Sequence, residues 1–211
     1  MKKTLKGAHK LIVYLTARFI GLFLYKSEYF PKGRFFARWY SAGYEWVLPD
    51  FWGRVWLKRN RGIPWPVSPL ATVGRNIVFD VHDLDNFQSP GIYFQTWDAR
   101  IMIGKGTNIA QNTGLITSNH DLYDLKKRGK AGDIVIGKCC WIGMNTVILP
   151  GVVLGDHTIV GAGSIVKQSF PEGDCVIAGN PARLVKKLNR MGRDSAGEIG
   201  AKEENKNSVQ K

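Results

Sequence analysis

The sequence predicts a mainly β protein: a β-solenoid of three short faces. A basic, aromatic-rich α-helical segment precedes it, and a short C-terminal helix and polar tail follow. Three observations carry this expectation. Residues 136–171 repeat with a period of six, the charge of the chain is very unevenly divided, and 44% hydrophobic content with 22% charge fits a folded protein.

Residues 1–66 form the first segment. Residues 1–62 hold 13 basic and 3 acidic side chains, net +10, and residues 1–66 hold 16 of the 24 aromatic side chains. Residues 67–181 hold 9 basic and 10 acidic residues, and residues 182–211 hold 8 and 4. So uneven a distribution argues against an evenly basic nucleic-acid-binding domain, and no nucleic-acid motif accompanies the charge. The apolar run from Leu11 to Tyr25 contains Arg18 and lacks a small-residue cleavage site, so it does not read as a signal peptide. As a helix it would span about 22 Å, short of the ~30 Å hydrocarbon core of a bilayer. Lys10 and Lys26 flank it, and Trp39, Trp46, Trp52, Trp56 and Trp65 follow among Arg34, Arg38, Arg54, Lys58, Arg59 and Arg61. Two readings stay open for this segment: an interfacial arm on an anionic membrane, or packing on the rest of the protein or a neighbouring subunit.

Residues 67–181 form the solenoid. Ile136, Ile142, Ile148, Leu154, Val160 and Val166 occupy one phase without a gap. The next phase carries Gly137, Gly143, Gly155 and Gly161, and four positions after the aliphatic come Cys140, Thr146, Val152, Thr158 and Ser164. A helix needs a period of 3.6 and a flat strand a period of 2, so a period of six suits neither. It suits coils in which each hexad makes one strand and one corner, the aliphatic pointing inward and the glycine relieving the corner. Ile103-Gly104, Ile109-Ala110, Leu115 and, further back, Val73-Gly74 keep the same rhythm. Leu115 and Ile136 are 21 residues apart, which six does not divide, so the chain leaves the coil over residues 118–133 and returns. That excursion carries His120 and a basic cluster from Lys126 to Lys130. Loops projecting from a rigid scaffold are where chemistry is usually placed.

Over residues 67–188 the sequence resembles the hexapeptide-repeat acyltransferases. The resemblance rests on Asp133 to Val152, on Val160-Gly-Ala-Gly-Ser-Ile-Val and on Ala178-Gly-Asn-Pro-Ala-Arg. Within them it is similar to the branch of xenobiotic, maltose/galactoside and exopolysaccharide O-acetyltransferases. It implies a left-handed parallel β-helix, a homotrimer, and acetyl-CoA as co-substrate bound between neighbouring subunits. His120, in Thr117-Ser-Asn-His-Asp, matches the catalytic histidine. Trp141, Gly143 and Met144 match the coil bordering the coenzyme groove, Ala162 and Gly163 the corner facing its pantetheine arm, and Arg183 a basic residue near its adenosine phosphates. Lys167 departs from the pattern, standing one place earlier than the lysine many members carry.

The chemistry fits these residue types. Acetyl transfer to a hydroxyl needs a base near neutral pH, which an imidazole supplies, and fixed N–H donors for the developing oxyanion. The second ring nitrogen needs a partner to fix the tautomer; Asp121, Asp124 and a backbone carbonyl are the candidates. Cys139 and Cys140 lie inside the repeat and make poor nucleophiles. For an acceptor, His82 and Asp83 in an acidic stretch, Gln95 in an aromatic one, and Asp121 are candidate contacts. The stretch with His82 and Asp83 also reads as a capped turn, and core packing suits Gln95 better than an acceptor contact. His157 reads as a corner residue. No metal is expected, because His82, His120 and His157 lack the close spacing of a metal-binding set. Residues 1–66 are too short, and lack the glycine-rich loop, for a nucleotide-binding domain.

The expectation is an acetyl-CoA O-acetyltransferase acting on a sugar hydroxyl of a cell-surface glycan or its precursor. A xenobiotic or small alcohol is the alternative acceptor, and an inactive membrane-associated trimeric scaffold is the alternative of another class. Three cysteines, with no even framework, point to a cytoplasmic protein, peripheral on the inner membrane face if the arm binds lipid.

Overall fold

The structure, a computed structural model, describes residues 2–30, 35–38 and 41–189. Arg34, Trp39 and the tail from residue 190 onward therefore lie outside the described residues. Two α-helices open the chain, α1 (Lys2–Leu24) and α2 (Ala42–Trp56). Short strands follow: β1 (Thr72–Val73), β2 (Ile77–Val78), β3 (Tyr93–Gln95), β4 (Ile101–Ile103), β5 (Asn108–Ile109), β6 (Gly114–Ile116), β7 (Ile134–Ile136), β8 (Trp141–Ile142), β9 (Val147–Ile148), β10 (Val153–Leu154), β11 (Ile159–Val160), β12 (Ile165–Val166), β13 (Cys175–Gly179) and β14 (Ala182–Lys187). They stack into three sheets, β1-β3-β6-β9-β12, β2-β4-β7-β10 and β5-β8-β11-β13-β14. Pairing is parallel throughout except between β13 and β14. This is the left-handed parallel β-helix expected, each coil visiting the third, first and second sheets in turn.

The inward phase is as read. Ile142, Ile148, Val160 and Val166 have no exposed surface, and Ile136 and Leu154 are 1% exposed. The small phase is also interior, and its hydroxyls find carbonyls nearby: Thr158 Oγ1 donates to Gly155 O at 2.7 Å and Ser164 Oγ to Gly161 O at 2.5 Å. One expectation is corrected. The glycines do not relieve the corners. The left-handed corner falls two residues later, at Cys139, Asn145, Gly151, His157 and Gly163, with φ between 53° and 80°. The glycine phase serves coil stacking instead. A Cβ on Gly137 would stand 2.5 Å from Asp156 N, and one on Gly143 2.6 Å from Ala162 N, both backbone atoms of the next coil.

A second correction concerns the C-terminus. Residues 182–187 form strand β14, not a helix. β13 leaves an open edge of the third sheet, and β14 folds back antiparallel to pair with it, Ala178 opposite Arg183. The first coil is also irregular: a 3-10 segment, Val81–Phe87, takes the place of a strand beside β5. There the Asn86 side chain imitates a strand, accepting from Ile109 N at 2.7 Å and donating to Thr107 O at 2.8 Å.

The arm is fastened to this helix. Tyr25 OH donates to Asp50 Oδ2 at 2.5 Å, and Arg54 Nε donates to the same oxygen at 2.9 Å. Arg54 also donates to Ile63 O and Trp65 O. Burial pushes the Asp50 carboxyl up, and the Arg54 guanidinium opposes it. Arg54 and Trp65, both among the arm's basic and aromatic residues, are thus interior, 7% and 1% exposed. A run of ring contacts from Tyr29 through Trp65, Phe79 and Phe87 to Phe94 continues the arm's core into the β-helix.

The two kinds of position make a paired test. Gly137→Ala forces backbone apart and should destabilise by about 1–3 kcal/mol. That lowers the Tm in thermal unfolding by several degrees at about 2–4 °C per kcal/mol for a chain of this size. Gly151→Asn has open space around its Cβ and takes a conformation Asn112 and Asn145 already adopt. It should change the Tm little.

Candidate active site

The site has two parts, on two different corners of the triangular coil. The first is a groove of about 530 Å³ where chain passes from the third sheet to the first. Successive coils bring Ala110–Gln111, Gly143–Met144 and Gly161–Ala162 into a column there, with Trp141 and Ser89 completing the walls. Trp141 points outward because its neighbour Ile142 points inward, and it is half exposed. The column is held by Ala110 N donating to Ile142 O, Gly143 N to Val160 O and Gly163 N to Met144 O. Side chains at 143 and 161 would fill the space between coils, so glycine keeps the groove floor at backbone level. Four of the expected residues, Trp141, Gly143, Met144 and Ala162, line this groove together. Gly163 forms the adjoining corner tip, at φ +70°. Lys167 and Arg183 are exposed and do not line it. Arg183 reaches Gln168 Oε1 at 3.3 Å, which draws it toward the Lys167–Gln168 turn at the end of the helix. Sequence reasoning missed Ser89, Ala110 and Gln111; the in-phase hexad Ile109-Ala110 was the available signal.

The second part is the excursion, which leaves between β6 and β7, where chain passes from the first sheet to the second. Gln95 anchors its base. Its Oε1 accepts from Thr117 N at 3.0 Å and Ser118 N at 2.9 Å, and its Nε2 donates to Ser118 O at 3.0 Å. Gly129 N donates to Asn119 O and Asp121 N to Lys127 O, closing the loop across a His120–Arg128 bridge. Arg128 ion-pairs with Asp98 at 2.7 Å and stacks over Trp97 at 5.0 Å. Asp98 Oδ2 also accepts from Ser118 Oγ at 3.2 Å.

His120 is exposed at the head of this loop, with Nδ1 2.8 Å from Leu125 O. A carbonyl only accepts, so Nδ1 carries the proton and the neutral ring holds its lone pair on Nε2. The partner on the other nitrogen is therefore the backbone carbonyl, not Asp121 or Asp124. The Asp121 carboxylate accepts from Tyr123 N and Asp124 N, both at 2.9 Å, and those N–H groups hold its pKa below the usual carboxylate value. It shapes the turn rather than facing an acceptor.

The other acceptor candidates are also structural. Gln95 is 6% exposed and spends its amide on the loop base. Asp83 is 6% exposed and accepts from Gly106 N at 2.7 Å. His82 stays at the surface with Nδ1 2.8 Å from Asp80 Oδ1. None of the three lines the groove. His157 is a corner residue, as read. Cys140 is buried, and burial pushes its thiol pKa up, which suits packing rather than nucleophilic attack.

A family profile of bacterial transferase hexapeptide repeats (six repeats) matches residues 133–168. The chain is 39% identical over 95 residues to a galactoside O-acetyltransferase of Escherichia coli K12, covering 44% of this chain and 46% of that protein. It is 32% identical over 133 residues to a putative lipopolysaccharide biosynthesis O-acetyl transferase of the same strain, covering 57% and 65%. To a putative colanic acid biosynthesis acetyltransferase of that strain it is 40% identical over 86 residues, covering 41% and 47%. The chain thus spans between 46% and 65% of the length of these relatives. The solved structure of a galactoside acetyltransferase in complex with coenzyme A is 29% identical, covering 61% of this chain and 64% of that one, with a TM-score of 0.48.

The anchoring role of Gln95 is testable by hydrogen exchange. Gln95→Ala leaves two buried N–H groups without their partner, at about 1–3 kcal/mol each. Exchange should speed up at Thr117, Ser118 and along residues 119–129, while the coils from 134 to 166 keep wild-type protection.

Proposed function

We propose that this chain, similar over part of its length to hexapeptide-repeat acetyltransferases, is an acetyl-CoA-dependent O-acetyltransferase acting on a sugar hydroxyl of a cell-surface glycan or its precursor. The observation that carries this reading is the tautomer of His120. With Nδ1–H committed to Leu125 O, Nε2 is available to a hydroxyl. His120 takes the acceptor's proton as that oxygen closes on the acyl carbon, holds it as imidazolium, and returns it to the departing sulfur. One C–O bond forms, one C–S bond breaks, and the ring ends neutral. Backbone N–H groups at a glycine-containing corner meet the oxyanion charge.

The groove supports the co-substrate part of the reading. It is largely apolar and floored by backbone, which suits a pantetheine arm along Trp141, Gly143, Met144, Ala162 and Gly163. Arg183 and Lys167, exposed beyond its end, meet the phosphates. The names of the relatives, a galactoside O-acetyltransferase and putative acetyltransferases of lipopolysaccharide and colanic acid biosynthesis, support the acceptor class.

The reading includes a homotrimer. What supports it is that His120 and the groove lie on different corners of one chain, so a neighbour's groove must meet this chain's excursion. Leu122, Tyr123 and Leu125, exposed at 89%, 98% and 73% on the excursion, are apolar surface such a neighbour would cover. We place the reaction in the cytoplasm, where three free cysteines persist, at the inner membrane face where lipid-linked glycan precursors are presented.

Replacing His120 by Ala should lower acetyl transfer by ~10²-fold or more with the oligomer mass unchanged. Transfer near the wild-type rate would remove the base role, and no transfer by either protein would favour an inactive scaffold. For the acceptor, NMR of surface polysaccharides from cells with and without the protein should show O-acetyl signals only in the former. Identical spectra would redirect the search to xenobiotics and small alcohols.

A further inference from the structure

Helix α1 carries two apolar faces. Val13, Tyr14, Ala17, Ile20, Gly21 and Leu24 form the one that is buried or half-buried. Leu11, Ile12, Leu15, Phe19, Leu22 and Phe23 form the other, exposed by 46–76%. At ~100° per residue these six fall within about 120° of one another, on the side opposite the packed face. A surface helix of a water-soluble fold shows one apolar stripe, and its outer face is polar. Helix α2 extends the outer patch. Trp52, Val55 and Trp56 are exposed, the two tryptophans stack at 6.2 Å, and Val55 shares a cleft with Phe23 of α1.

The charges around this patch have one sign. Arg18, Lys58, Arg59 and Arg61 are exposed on α1 and just past α2. Of the acids described on the two helices, Asp50 is buried under Arg54 and Glu45 is paired with Lys10 at 3.6 Å. Among the described residues no helix is long and apolar enough to cross a membrane.

From this face we propose a membrane-surface site, with α1 lying in the plane of an anionic bilayer. The α1 stripe enters the boundary of the acyl chains, Trp52 and Trp56 sit at headgroup level, and the cations meet lipid phosphates. A second copy is the poorer occupant. Two copies meeting through the same patch bring like charges together, whereas anionic lipid neutralises them. The stripe is also held at a fixed angle to the β-helix by the Tyr25–Asp50–Arg54 bonds and by Lys26 N donating to Pro64 O at 3.0 Å. The proposal stands on the arm alone and does not need the acyl-transfer reading.

The test is co-sedimentation of the full chain with vesicles of phosphatidylcholine, alone or mixed with phosphatidylglycerol, at low and high salt. Binding should be at least about tenfold stronger to the mixed vesicles at low salt, and should weaken as salt rises. The double variant Leu15→Glu/Phe19→Glu, at exposed positions, should lose about tenfold or more with its thermal unfolding unchanged. Lys58→Glu/Arg59→Glu should lower the preference for phosphatidylglycerol. Failure of the wild type to sediment with mixed vesicles at low salt overturns the proposal. So does an oligomer larger than the trimer, seen by light scattering, that Leu15→Glu/Phe19→Glu dissolves; the patch is then an interface between copies. His120→Ala should sediment like wild type, so loss of acetyl transfer leaves this result standing.

Discussion

The β-helix and its groove are built around how closely one coil lies on the next. Backbone atoms of neighbouring coils approach so near at Gly137 and Gly143 that a single methyl group would stand 2.5–2.6 Å from a peptide nitrogen. That spacing sets the parallel pairing of all three sheets and leaves the interior just wide enough for one aliphatic and one small residue per hexad. It also makes the groove. Where the glycine column runs along one corner, the surface consists of backbone and small side chains, flanked by the outward Trp141 and Met144. The feature that stacks the coils is therefore the feature that floors the groove, where the proposed reading lays the pantetheine arm.

The excursion uses the opposite strategy. It gains nothing from coil stacking, so it is held by side chains. The Gln95 amide makes four hydrogen bonds to residues 117 and 118, and Arg128, wedged over Trp97 and paired with Asp98, holds the returning limb. The result is a fixed Leu125 carbonyl, and through it a fixed tautomer of His120. On the proposed reading, residues at the base of the loop thereby position the base without touching a substrate.

The inward residues were legible because packing leaves a periodic trace: a single aliphatic phase survives from Ile136 to Val166. The excursion that carries His120 was legible because it interrupts that period. The corner phase was misplaced because both glycine columns, the stacking one and the left-handed one, look alike in sequence; Asn145 and His157 in the second show that only one of them needs glycine for space. Strand β14 was not legible, since its reason lies in the open edge of β13 and not in its own residues. Nor was the role of Gln95 or Asp83. A polar residue in an aromatic or acidic stretch suggests a ligand contact, and only burial of 94% with hydrogen bonds to nearby backbone shows otherwise.

The arm poses a different physical problem, because its composition alone does not say where its parts go. Arg54, Trp65 and Tyr25 look like further members of a basic aromatic surface, yet they make the interior joint that couples the arm to the helix. A buried ion pair is a costly joint. It is worth its desolvation here only because the guanidinium is shared among a carboxylate and two carbonyls, which satisfies its donors. Such a joint fixes an angle better than a purely apolar contact, which tolerates sliding. A helix that only stored apolar surface would need no fixed angle. One that holds a neutral catalytic scaffold at a set tilt to a charged plane does, and on the proposed reading this confines the excursion and the groove to the layer where a lipid-linked acceptor is concentrated.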